Sequence, residues 1–223
     1  IVVFFHGNPA TLARDVIDRQ QVPRQFAESH LNAVLVAPQF AVDALDSSAG
    51  GFWQDGAFLR YLREAALHLA RLQGGADRND FARLPVILVA YSGGYLPAAY
   101  ALQVGGAGKR IRGVVLLDAI YDETDKFADW ITDHQDSTFF FSAFTASSAG
   151  GNGALQDLLM NQGIMFFTEP QRCLDKGDVV FVDTGEGAVH ADFVSHAWVD
   201  DPLTWVFDRI AGFQRGSGGA CKP

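Results

Sequence analysis

The stretch "VILVAYSGGY" (86–95) runs four branched apolar residues into an alanine and a tyrosine, then into a serine and two glycines. A continuous apolar run, as opposed to an alternating one, suits a strand buried on both faces, as in a parallel sheet covered by helices. Residues 94–104, "GYLPAAYALQV", read as the helix that follows, with Pro97 near its first turn, where a missing N–H costs least. A strand-to-helix turn this abrupt forces its central residue into strained φ/ψ and brings neighbouring backbone close. The positions two before and two after Ser92 must then be small, and they are Ala90 and Gly94. Ligands of doubly wound sheets gather beyond the carboxyl ends of strands, which is where Ser92 falls. The competing reading is a serine in a plain turn.

Similar apolar runs recur along the chain: "IVVFF" (1–5), "AVLVA" (33–37), "PVILVA" (85–90), "GVVLLD" (113–118), "TFFFSAF" (138–144) and "VVFVD" (179–183), with "IMFF" (164–167) as a further short candidate. Between them lie segments of helical period. Phe58, Leu62, Ala65, Leu69 and Leu72 form one apolar stripe within 54–73, and shorter helices are expected around Phe127, Trp130 and Ile131. "GALQDLLMNQG" begins another helix and ends on a glycine cap at Gly163, and Pro202 opens a last one that buries Leu203, Val206, Phe207, Ile210 and Phe213. "SSAGGNG" (147–153) reads as a flexible loop too short to separate domains. The expectation is an α/β fold, a mostly parallel central sheet covered by helices on both faces, forming one domain over 1–223.

Composition narrows the function classes. A net charge of -9 leaves no overall field to draw phosphates, which argues against nucleic acid or an anionic membrane surface as partner. No run approaches the roughly 20 apolar residues that span a bilayer, so no membrane span is expected. The opening "IVVFFHGN" lacks a basic leader and a cleavage site, and a chain that starts directly on a strand suggests that residues before Ile1 are missing. Cys173 and Cys221 are the two cysteines. If they pair, the compartment is oxidising, secreted or periplasmic; if they do not, cytoplasmic. No H-E-x-x-H or Cys/His cluster suggests a metal, and "GGNG" lacks the G-x-G-x-x-G spacing of a dinucleotide loop.

The segment Ala90–Gly94, A-Y-S-G-G, resembles the nucleophile elbow of the α/β-hydrolase family, G-x-S-x-G, with alanine for the first glycine. His6-Gly7-Asn8, at the end of the first apolar run, resembles the "HG" pair that opens the family's oxyanion loop. The resemblance implies a serine hydrolase in which Ser92 is the nucleophile and the backbone N–H groups of Asn8 and Gly93 hold the oxyanion, with the His6 imidazole itself structural. It also implies that no cofactor is needed. The family commonly has an antiparallel hairpin before the "HG" strand, for which this chain has no room.

A serine hydroxyl needs a histidine to take its proton and a carboxylate to orient that histidine. The family supplies them in the order Ser, Asp or Glu, His. His190 in "GEGAVHADF" follows the last strand and is the favoured base, with His196 in "FVSHAWV" as the alternative. The usual acid position, after "TFFFSAF", reads "TASSAGGNG" and holds no carboxylate. A known variant places the acid one strand earlier, which points to Asp118, with Asp122 and Asp183 as further candidates. The implied reaction is acyl transfer to water, with esters as the default small-molecule substrate. The alternatives are an acyltransferase or amidase, or a non-catalytic hydrolase-fold protein that binds a ligand or partner. Phe52 and Trp53 in "DSSAGGFWQDGAF" (46–58), together with Tyr91 and Tyr95 beside the elbow, are candidates for the substrate pocket wall. Substrate and oligomeric state do not follow from the residues.

Overall fold

In the computed structural model, residues 1–42, 46–75, 77–215 and 221 are described. Six strands among them form one sheet: β1 (Val2–Phe5), β2 (Leu35–Val36), β3 (Val86–Tyr91), β4 (Ile111–Leu117), β5 (Phe139–Phe144) and β6 (Val179–Asp183). Their order is β2-β1-β3-β4-β5-β6, and every pairing is parallel. The sheet is therefore built outward in two directions from the β1/β3 boundary, the topological switch point at which open α/β sheets form their crevice.

The continuous apolar runs have a simple cause. Alternate residues of each strand enter two separate cores, one on either face. Val3, Phe5, Leu88, Ala90, Val114 and Leu116 pack under α2 (Ala57–Leu72), α4 (Tyr95–Gln103), α5 (Thr124–His134) and α6 (Ala149–Asn161). Val2, Phe4, Ile87, Val89, Val115 and Leu117 face the other way, toward α1 (Val22–Glu28), the helical segment Leu12–Arg19 and α7 (Pro202–Phe207). A short helix, α3 (Arg78–Ala82), closes a satellite cluster around Phe81.

Several local expectations change. The strand expected at 33–37 pairs only through Leu35 and Val36. Leu72, assigned to the buried stripe of α2, is 83% exposed, and Ala66 and Ala70 are buried on that helix instead. The loop expected at 147–153 is largely helix, because α6 starts at Ala149. A Cβ on Gly151 would stand 2.0 Å from the Ile120 carbonyl oxygen, so this one glycine lets the helix lie directly against the loop after β4. Asn152 then bonds inward, accepting from Ser142 Oγ at 2.7 Å and donating to Ser148 O at 2.9 Å. Of "IMFF", only Phe167 pairs, bridging to Val180 at the β6 edge. Cys173 and Cys221 form a disulfide that links residues 48 apart in sequence. No helix among the described residues is long and apolar enough to cross a membrane.

Candidate active site

Ser92 follows β3 directly and holds φ at +51°, a left-handed conformation that costs a non-glycine residue energy. The turn that imposes it also brings β1 against the start of α4. A Cβ on Gly94 would lie 2.4 Å from Phe5 O, a backbone atom, so only glycine fits there. Gly7 lies against the serine from the other side, where an added Cβ would meet Ser92 Cβ at 2.9 Å. The small residues around the serine thus have a steric origin, close packing at the sheet's switch point.

His190 Nε2 lies 2.9 Å from Ser92 Oγ, and His190 Nδ1 lies 2.6 Å from Asp118 Oδ2. These three side chains come from the ends of β3, β4 and the loop after β6, separated by 98 and 72 residues from one another along the chain. Asp118 also has positive φ, at +46°, and its side chain is fully buried. Its oxygens accept from the Thr145 N–H (3.0 Å), Thr145 Oγ1 (2.8 Å), Ser147 Oγ (2.7 Å) and Ser148 Oγ as well as from His190. Burial by itself would raise the Asp118 pKa. The hydrogen bonds from His190, Ser148, the Thr145 N–H and Ser147 outweigh it and hold the carboxyl well below the usual carboxylate range. With Asp118 ionised, the proton of a neutral His190 belongs on Nδ1, and Nε2 offers its lone pair to the serine hydroxyl.

The other candidates lie elsewhere. Asp122 is exposed and accepts from the Glu123 N–H, and exposed Asp183 accepts from the Gly185 N–H, so both serve their own loops. His196 pairs with Asp200 on the surface, where its side chain is 68% exposed. Asn8 and Gly93 are neighbours: Asn8 Cβ lies 3.3 Å from where a Gly93 Cβ would stand. Among the described residues, no carbonyl or side chain accepts from either of their N–H groups. They line a hollow of about 20 Å³ with Gly7 and Ser47, room for one water or a single oxygen atom. His6 is buried, donating from Nδ1 to Gly7 O (2.8 Å) and accepting at Nε2 from the Phe40 N–H (3.1 Å) and Gln39 Nε2 (3.1 Å). Burial lowers its pKa, in keeping with a neutral ring that fixes the Gly7 peptide.

Two pocket-wall expectations are corrected. Phe52 is buried in an aromatic cluster with Phe5, Phe40, Phe58 and Tyr61, with ring centroids 5.2–6.0 Å apart, and belongs to the core. Tyr91 is also buried. It stacks on the His190 ring at 5.2 Å and donates its hydroxyl to His190 O at 2.7 Å, so it supports the histidine and is not a wall. Burial pushes its pKa up to about 12, which keeps it a donor at neutral pH. Trp53 is half exposed and stacks flat on Tyr100 of α4, with centroids 4.9 Å apart.

Sequence reasoning passed over the residues that now surround the histidine. Thr145, Ser147 and Ser148 belong to the segment noted for lacking a carboxylate, the last two also to the loop expected at 147–153; three hydroxyls at the end of the strand beside β4 were the available signal. Tyr121 was also missed. Its hydroxyl lies 3.3 Å from both His190 Nδ1 and Ser147 Oγ, and its ring meets Tyr95 at 5.8 Å. Tyr121 and Tyr95 thus form an aromatic group beside His190.

No family model matches this sequence, and no curated protein matches it. Among solved structures, the chain is similar to a mutant of the feruloyl esterase module from Clostridium thermocellum complexed with sinapinate, at 15% identity and a TM-score of 0.58, over 93% of this chain and 77% of that one. An uncharacterized protein from Bacillus cereus ATCC 10987 aligns at 15% identity and a TM-score of 0.49; 83% of this chain is covered and it spans about half, 52%, of that chain. At this identity the likeness to the esterase module is one of fold, a parallel sheet flanked by helices.

Proposed function

We propose that this chain is a serine hydrolase of the α/β-hydrolase type that cleaves carboxylic esters. The observation that carries the reading is the hydrogen-bonded series from Ser92 Oγ through His190 to a buried carboxylate, at 2.9 Å and 2.6 Å. Nucleophile, base and orienting group within hydrogen-bond reach of one another are what acyl transfer requires. Ser92 Oγ attacks the ester carbonyl carbon while its proton passes to His190 Nε2. The carbonyl oxygen gains the negative charge and accepts from the Asn8 and Gly93 N–H groups, each such donor being worth about 3 to 4 kcal/mol. The C–O bond to the leaving alcohol then breaks, and His190 returns the proton to that oxygen. Water repeats the sequence on the acyl-serine: His190 takes its proton, the hydroxide adds, and Ser92 leaves with the proton restored. Asp118 remains ionised throughout and stabilises the imidazolium at each stage.

Esters are favoured over amides because an alkoxide leaves with less assistance than an amine. The resemblance in fold to a feruloyl esterase module supports an ester as substrate class. The disulfide supports an oxidising compartment. A fluorophosphonate probe tests the core of the reading: it should label the protein, and the label should vanish in Ser92→Ala. Failure to label a folded sample would remove the enzymatic reading in favour of a non-catalytic binding protein of the same fold.

A further inference from the structure

At the amino ends of the strands, opposite the site of Ser92, a cleft of about 520 Å³ opens between the loops that lead into β3, β4, β5 and β6. Five cations line it, Arg83, Lys109, Arg110, Arg112 and Lys176, and none of its lining residues is Asp or Glu. Among the described residues, none of the five makes an ion pair. In a chain with 26 acidic residues against 17 basic ones, this is a local reversal of sign. The whole-chain charge of -9, which argues against a field attracting anions, does not describe the lining of this cleft.

Two of the cations are held by backbone geometry. Val86 pairs with Ile111 and Ile87 with Gly113, so Arg112 is an extra residue on β4, a bulge with no partner on β3. Bulges of this kind re-aim a side chain, and Arg112 lines the cleft. The bulge coincides with close packing at Gly113, where a Cβ would stand 2.1 Å from the ring of Phe139, itself part of the cleft. Arg110 is pinned by two hydrogen bonds to Leu84 O, from Nε (3.2 Å) and Nη2 (3.1 Å), and among the described residues its Nη1 has no partner. Burial and then the charge of Arg63 lower its pKa. Leu84, Pro85, Phe139 and Phe213 add an apolar lining.

We propose that this cleft binds a small organic anion carrying two or more phosphate or carboxylate groups on an apolar body. The bulge-borne Arg112 and the pinned Arg110 supply guanidinium donors, Lys109, Arg83 and Lys176 supply further charge, and the two phenylalanines face the apolar part. Guanidinium groups match the oxygen spacing of both phosphate and carboxylate, so the chemistry is shared between these two sources. The site is separate from the proposed ester chemistry and does not depend on it.

The test is calorimetric titration of the full chain with pyrophosphate, citrate and benzene-1,3,5-tricarboxylate, each against chloride at equal ionic strength. Saturable binding is expected for at least one of them, and its identity assigns the anion as phosphate or carboxylate. Tighter binding of the benzene tricarboxylate than of citrate is expected from the phenylalanine lining. Arg112→Gln should weaken that binding by about tenfold or more, because a charge-assisted hydrogen bond is lost. Ser92→Ala, at the opposite ends of the strands, should leave it unchanged, and unaltered melting of Arg112→Gln separates loss of the site from loss of the fold. Absence of saturable binding by all three anions, or binding undiminished in a folded Arg112→Gln, overturns the proposal whatever the outcome at Ser92.

Discussion

Replacing Asp118 by asparagine is the sharpest probe of the proposed chemistry, because the carboxylate receives five donors and only some of them can adapt. The Thr145 N–H cannot reverse, so the amide oxygen is expected to stay on it and on Ser148. The amide nitrogen then faces Thr145 Oγ1, Ser147 Oγ and His190 Nδ1. Hydroxyls can rotate to accept; His190 can accept only by moving its proton to Nε2, and a protonated Nε2 cannot take the proton of Ser92. Flipping the amide restores the useful tautomer but sets a donor against the buried Thr145 N–H, at about 1–3 kcal/mol. Orientation alone therefore removes about one to two orders of magnitude. Loss of the negative charge opposite the imidazolium brings the expected fall in kcat to about 10⁴-fold, roughly 5.5 kcal/mol. The assay is steady-state hydrolysis of p-nitrophenyl acetate, with near-ultraviolet circular dichroism to verify the fold. A folded variant that keeps more than about a tenth of the wild-type kcat refutes the reasoning.

Other perturbations separate the remaining parts. His190→Ala should abolish measurable turnover, whereas His196→Ala, at an exposed pair with Asp200, should leave it intact; equal losses in the two variants would count against His190 as the base. Because the folded pKa of Asp118 is depressed, its contribution to stability is present above the ordinary carboxylate range near about 4 and is lost as pH falls below it; the difference in denaturant midpoint between wild type and Asp118→Asn should shrink on acidification across that range. Gly94→Ala drives a Cβ into the β1 backbone and should cost about 2–4 kcal/mol, while Gly93→Ala meets the movable Ser47 side chain and should cost less, a ranking that thermal melting can invert or uphold. Reducing the Cys173–Cys221 bond, which links residues 48 apart, should lower stability by about 4 kcal/mol and the melting temperature by about 10 °C; an unchanged melt under reductant argues that the bond constrains little.

The parts of this molecule that were legible in the sequence are those set by local physics. Burial on both faces forbids alternation, so runs such as 86–91 and 139–144 announced a parallel sheet, and an abrupt strand-to-helix turn admits only small neighbours, which marked Ser92. The positions of Asp118 and His190 at strand ends could be read for the same reason. Which histidine and which aspartate meet was suggested only through the family resemblance, because pairs 72 and 98 residues apart are joined by sheet order and register, not by anything adjacent in the chain. Helix α6 illustrates the limit. Its glycines read as flexibility, yet one of them, Gly151, must be small because Ile120 lies against it, a contact visible only in three dimensions. Phe52 and Tyr91 were read as pocket walls because aromatics near a serine invite that reading, and tertiary packing turned one into the core and the other onto His190. The five cations of the opposite cleft were likewise dispersed along the chain, and the three clustered hydroxyls of 145–148 lie 27 to 30 residues from the carboxylate they bond. A sequence counts its charges and hydroxyls, but the field each produces depends on distance, and distance was decided by how β4 and β5 lie side by side and where the bulge at Arg112 sends its side chain.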